Sequence, residues 1–122
     1  MNWLGLDHIQ LAIPVGAEDL CRAFYGTILG WKEVSKPESL TGRGGVWFST
    51  DSFQVHFGVE KDFQPAKKAH PAFLLKDLDH LAKELANHDI AVQWDDKLEG
   101  YNRFFAHDCF GNRLEFMQKT GT

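Results

Sequence analysis

Three histidines and one glutamate carry the densest chemical signal in this sequence: His8, His56, His70 and Glu115. Imidazole nitrogen and carboxylate oxygen both ligate divalent transition metals, and zinc, nickel, cobalt, manganese and iron all tolerate this set. A metal so held, with coordination positions left open, acts as a Lewis acid on a substrate offering two adjacent oxygens. That chemistry suits proton abstraction beside a carbonyl, isomerisation, epimerisation or addition to an electrophile. No other constellation competes with it, because the chain has no convincing nucleophile–base pair, no Walker loop and no Rossmann glycine pattern.

The elements that must position these four residues follow from hydrophobic period. Residues 6–13 alternate as a strand, with Ile9, Leu11 and Ile13 on one face and Leu6, His8, Gln10 and Ala12 on the other. Pro14 and Gly16 break it. Residues 17–29 read as a helix with Leu20, Phe24 and Ile28 at four-residue spacing, acidic residues Glu18 and Asp19 at its start and Gly30 as its stop. Strands over 32–34, 46–50 and 53–59 follow, separated by a glycine-rich loop over 35–45. Beyond a polar connector at 60–69 the order repeats. A strand over 70–75 precedes a helix capped by Asp77 and striped by Leu78, Leu81, Ala82, Leu85 and Ala86. Strands over 90–94, 101–106 and 113–118 complete it. The expectation is a single domain over 1–122 made of two strand–helix–strand–strand–strand modules, approximately 1–62 and 63–122.

In this repeat His8 opens one module as His70 opens the other, and His56 closes the first as Glu115 closes the second. Parity sharpens the correspondence. Val55, Phe57 and Val59 oppose Gln54, His56 and Gly58; Leu114 and Phe116 oppose Arg113, Glu115 and Met117; Phe73 and Leu75 oppose His70, Ala72 and Leu74. The apolar faces can pack on helices while the opposite faces line a cleft. Taken singly, each histidine reads as a hydrogen-bonded structural residue, but a carboxylate between Leu114 and Phe116 requires a partner if buried. The joint placement favours a metal site. Gln10 shares a face with His8, Gln54 with His56 and Arg113 with Glu115, so these three are candidate substrate-binding groups. Arg43 and Arg103 are further cations that could meet an acidic substrate. Trp47, Phe48, Phe104 and Phe105 offer aromatic walls. His80, His88 and His107 read as solvated.

Composition bounds the rest. The chain has 122 residues, 43 % hydrophobic and 25 % charged, enough for one globular core. A formal net charge of −4 gives no electrostatic reason to expect nucleic acid or an anionic membrane as partner. No apolar run approaches the roughly 20 residues of a membrane span, and no signal peptide is visible at the start. Cys21 and Cys109 form no CxxC pair, so a cytoplasmic protein with reduced thiols is the expectation.

The chain resembles the glyoxalase, or vicinal oxygen chelate, superfamily. The resemblance is carried by Leu6-Asp7-His8-Ile9-Gln10-Leu11-Ala12, by Phe24-Tyr25 through Leu29-Gly30-Trp31, by Gln54-Val55-His56-Phe57-Gly58-Val59 and by His70-Pro71-Ala72-Phe73. Its most specific piece is Asp108-Cys109-Phe110-Gly111-Asn112-Arg113-Leu114-Glu115-Phe116, similar to that family's Asp-Pro-x-Gly-Asn-x-x-Glu ending with Cys109 in the proline position. The resemblance implies an α+β fold of two βαβββ modules forming a half-open mixed β-barrel, helices on its outer face, around a divalent metal. It places His8, His70 and Glu115 at three usual ligand positions and His56 at the variable fourth. It implies a homodimer whose sites combine residues from both chains, a small-molecule substrate, and Glu115 as the base. His56 stands where the bacterial glyoxalase I pattern has a second glutamate, which puts that particular activity in doubt. The family also includes ring-cleaving dioxygenases, fosfomycin-resistance enzymes and metal-free bleomycin-binding proteins, so the alternative is a metal-free small-molecule binder.

Overall fold

The computed structural model describes residues 1–121, which form two compact units, Met1–Gln64 and a second beginning at Pro65. Each unit is a βαβββ module, so the fold is α+β. In the first, β1 (Ile9–Pro14) leads into α1 (Glu18–Cys21), then β2 (Lys32–Val34), β3 (Val46–Ser49) and β4 (Gln54–Glu60). In the second, β5 (Ala72–Leu74) leads into α2 (Leu78–Asn87), then β6 (Gln93–Asp95), β7 (Tyr101–His107) and β8 (Arg113–Lys119). Strand order is β1-β4-β3-β2 in one sheet and β5-β8-β7-β6 in the other, so the two share one topology and neither closes on itself. No helix among the described residues is long and apolar enough to cross a membrane.

The register makes the repeat concrete. β1 runs parallel to β4 with Gln10 opposite His56, and β5 runs parallel to β8 with Ala72 opposite Glu115. His8 precedes Gln10 by two residues as His70 precedes Ala72 by two. Equivalence of the pairs His8/His56 and His70/Glu115 is thus a property of strand pairing, and the unequal chain lengths between them are absorbed in the connections.

Several boundaries differ from the sequence pattern. His8 and Leu6 lie before β1, because pairing with β4 begins at Ile9 opposite Val55; Leu6 is 88 % exposed. His70 likewise precedes β5, although Glu115 N–H still donates to Pro71 O at 3.1 Å and carries the pairing upstream. The first helix is α-helical only to Cys21 and continues over Arg22–Ile28 in wider π turns, in which Leu29 N–H reaches Phe24 O at 3.0 Å. The wider turn breaks the four-residue stripe: Phe24 is buried as expected, but Leu20 stays 61 % exposed, and Cys21 and Tyr25 are buried with Phe24. Tyr25 packs its ring against Phe57 at 4.4 Å and Trp31 at 5.1 Å. Residues 90–92 do not join β6, because Ile90 N–H caps the end of α2 by donating to Leu85 O, after Asp89 at φ 59° turns the chain.

The glycine-rich loop is tied down rather than free. Its centre is a 3-10 segment, Glu38–Arg43. Gly45, at φ 84°, lets the backbone pass so close to β4 that a Cβ would lie 2.1 Å from Phe57 O. Gly45 N–H donates to Glu18 Oε2, and this bond is the first cause holding the Glu18 carboxyl below its ordinary range.

In the second unit Phe73, Leu78, Leu85, Phe104, Leu114 and Phe116 are buried together. Asp77 caps α2 by accepting from His80 N–H at 3.1 Å, and Gln118 Oε1 on β8 accepts from Leu78 N–H. The β7–β8 turn is built on two buried polar residues. Asp108 accepts from the N–H groups of Phe110 and Asn112 and from Asn112 Nδ2, while Asn112 Oδ1 accepts from Ala66 N–H. Asn112→Ala strips partners from buried groups on both sides and should cost about 1–3 kcal/mol of stability in urea denaturation. A loss below about 0.5 kcal/mol, the range of an inert surface change, would contradict this account of the turn.

Candidate metal centre and its two half-sites

Glu115 is 6 % exposed on β8, with Ala72 beside it on β5 and Phe105 beside it on β7. Both carboxylate oxygens are engaged. Oε1 lies 2.8 Å from His70 Nε2, and Oε2 accepts from Arg103 Nη1 at 3.0 Å. Arg103 directs its Nε and Nη2 to Asp95 Oδ1 at 3.3 and 3.1 Å. The hydrogen bond to Glu115 is the largest influence raising Arg103 above its ordinary range, with Asp95 adding to it against desolvation. The Asp95 carboxyl is lowered, first by Lys97 N–H and then by Arg103. Phe105 lies under three groups: His70 edge-on at 5.5 Å, the Arg103 guanidinium at 5.2 Å and that of Arg113 at 4.2 Å.

His70 is held through both ring nitrogens. Its Nδ1 lies 2.9 Å from Lys68 O, which can only accept, so Nδ1 bears a hydrogen. In a neutral ring Nε2 would then present a lone pair to a carboxylate oxygen that also only accepts. A proton or a metal ion between Nε2 and Oε1 satisfies both atoms. A histidine whose Nδ1–H is fixed on a backbone carbonyl and whose Nε2 faces a carboxylate is oriented as metal-ligating histidines are. His70 and Glu115 thus supply two donors of the types a divalent metal takes.

The equivalent pair in the first unit is arranged differently. His56 is 5 % exposed and sandwiched, with the Trp47 ring parallel at 3.7 Å and the His8 ring stacked at 3.9 Å. Its Nε2 donates to Gln54 Oε1 at 3.0 Å. Burial first, and the neighbouring His8 second, lower its pKa below the ordinary 6.5. His8 Nδ1 pairs with Asp7 Oδ2 at 2.8 Å on the surface. Gln10 lies across Gly58, where a Cβ would come 2.7 Å from its Nε2.

The structure thus brings His8 to His56, and His70 to Glu115. Among the described residues no three His, Cys, Asp or Glu side chains form a group that could hold a metal ion. Gln54 serves His56, and Arg113 rests on Phe105. Arg103, read from sequence as a cation for an acidic substrate, is instead engaged by Glu115 and Asp95. Trp47, read as an aromatic wall, is the platform under His56. Hairpin register was the missing signal: Phe105 opposite Glu115 puts Arg103 on the same face, two residues along.

Solved structures place this chain among known proteins. It shares 45 % identity and a TM-score of 0.94 with a glyoxalase family protein from Bacillus anthracis, covering 98 % of this chain and 99 % of that one. The chain belongs to the glyoxalase family, within the vicinal oxygen chelate superfamily. A glyoxalase/dioxygenase from Nostoc punctiforme shares the fold at 22 % identity and TM-score 0.73, over 92 % of this chain and 90 % of that one. So does a fosfomycin resistance protein from Listeria monocytogenes, solved with Mn(II) and 1S,2S-dihydroxypropylphosphonic acid, at 16 % identity and TM-score 0.79, over 98 % and 95 %. No family sequence model matches the chain, and no curated protein matches it significantly.

The lowered His56 pKa has a signed consequence for stability. The unfolded chain, with its histidine near 6.5, binds this proton more readily than the folded one. The stabilising contribution is therefore full above 6.5 and is lost as pH falls toward the folded pKa. Metal-free His56→Phe, which can keep the stack with Trp47, should lose less urea stability than the parent between pH 7.5 and 5.5. Equal losses would contradict the assignment.

Proposed function

We propose that the chain is a metal-dependent, glyoxalase-like enzyme acting on a small substrate through two adjacent oxygens, by proton abstraction, isomerisation or lyase/transferase chemistry. The proposed metal donors are His8 and His56 of the first unit and His70 and Glu115 of the second. The observation that carries this reading is the His70–Glu115 pair, in which a ring nitrogen and a buried carboxylate oxygen, both metal-ligating atom types, lie 2.8 Å apart with the ring held on Lys68 O. When bound, the metal supplies Lewis-acid polarisation of substrate oxygens. Glu115 is the proposed base on condition that it leaves the metal during turnover, when its Oε1 would take a proton from the carbon beside a carbonyl and return it or pass it on. Lys68 O fixes the His70 ring so that Nε2 faces Glu115 Oε1. Gln10, Gln54 and Arg113 are the proposed substrate contacts, with Arg113 the group for an anionic substituent. A homodimer in which each site draws on both chains is part of the same proposal, as is a cytoplasmic location.

One observation favours a second reading, a metal-free binder of a small aromatic compound. His56 has both ring faces covered and Nε2 engaged by Gln54, so it joins a metal only by another nitrogen or after releasing Gln54. Protein purified without chelator decides between the readings. The enzyme reading expects near-stoichiometric divalent metal, lost in His8→Ala and in Glu115→Ala, and chelator-sensitive turnover in a screen of 2-oxoaldehyde hemithioacetals, diols and thiol-transfer substrates. Full metal retention in both variants would remove these ligands. Ligand binding indifferent to chelation would favour the binder. Mixing the two variants after subunit exchange should restore about a quarter of the parent's metal, because half of randomly paired dimers are mixed and each carries one intact site. No restoration would place every site within one chain.

A further inference from the structure

We infer that Arg103, braced by Asp95, is a positioning residue that holds Glu115 to one available oxygen. This rests on the reading of Glu115 as a metal ligand. A carboxylate can bind a metal through one oxygen or two. Here Oε2 is taken by Arg103 Nη1 at 3.0 Å, and only Oε1 faces the Nε2 of His70. Arg103 cannot swing aside freely, because its other two donors are spent on Asp95 Oδ1 and its guanidinium lies 5.2 Å from the Phe105 ring centre. Glu115 and Arg103 are both largely buried, so their single hydrogen bond is shielded, and the fork of Nε and Nη2 onto Asp95 holds the guanidinium in place.

Two consequences follow for the chain's own residues. Glu115 offers a single oxygen to a cation, which leaves a coordination position open for a substrate oxygen. Its proton-transfer atom also stays defined, because the carboxylate cannot rotate to exchange its oxygens. Asp95 touches nothing at Glu115; it acts only by fixing the guanidinium that does.

A purely structural role for Arg103 and a positioning role predict opposite results. Arg103→Met frees Oε2 and removes a cation beside the centre. The variant should bind Co(II) no more weakly than the parent, while its visible Co(II) band loses intensity as the carboxylate adds a second oxygen and the coordination number rises. Asp95→Ala, remote from Glu115, should move the spectrum in the same direction by less. Arg103→Lys, with one point contact instead of a fork, should restore the parental spectrum only in part. In metal-free protein, histidine-ring 15N spectra should show the His70 signals displaced in Arg103→Met while those of His8 and His56 stay. Weaker Co(II) binding with an unchanged band shape, or unmoved His70 signals, would overturn the inference. A parent that takes up no Co(II), with His70 still displaced in the variant, would sink the metal reading and the coordination claim with it, leaving only an ion network.

Discussion

The second unit is organised around a carboxylate that cannot be buried alone. Glu115 sits on a strand flanked by apolar neighbours, and an ionised carboxylate removed from water costs several kcal/mol unless it is paired and hydrogen-bonded. Three elements answer that demand. β7 supplies Arg103, β6 supplies Asp95 behind it, and the segment ahead of β5 supplies His70. Each partner depends on pairing register, so a slip of one residue in β8 would turn Glu115 into the apolar core and leave Arg103 with Asp95 alone. The requirement for a positive partner and the requirement for a unique register are one constraint.

The first unit solves the same topology with different chemistry. At the position equivalent to Glu115 stands His56, which can be buried neutral, and its company is correspondingly aromatic and amide: Trp47, His8 and Gln54. Where the second unit uses charge pairing, the first uses stacking. Stacking on both faces fixes the plane of the His56 ring, and the Gln54 hydrogen bond fixes its rotation within that plane. The asymmetry centres on one register position, His56 in one repeat and Glu115 in the other, and extends to its neighbours, Trp47 against Phe105 and Gln54 against Arg113.

Much of this was legible in the sequence. Alternation identified the strands, the Asp77 cap and Leu78/Leu85 stripe identified α2, and matched parity put the four polar residues at equivalent places in the two repeats. What escaped had physical causes. The π-helical turns of Arg22–Ile28 change the period on which a helical stripe is read, so Leu20 was assigned to a buried face it does not share. His8 and His70 lie outside their strands because strand length is set by the partner's reach, which no local pattern encodes. The pairing of Arg103 was hidden because the β7–β8 register depends on how the Asp108–Asn112 turn closes. A charged residue near a site reads as a substrate contact until the register reveals a nearer anion.

The proposed function stands on a metal ion held by His70 and Glu115. X-ray absorption at the metal edge, on protein purified without chelator, measures that directly. The account predicts a bound first-row metal with only nitrogen and oxygen scatterers at about 2.0–2.2 Å, with the outer-shell signature of imidazole rings, lost together with the metal in Glu115→Ala. A sulfur shell near 2.3 Å, or an imidazole-free oxygen shell that persists in that variant, would contradict it.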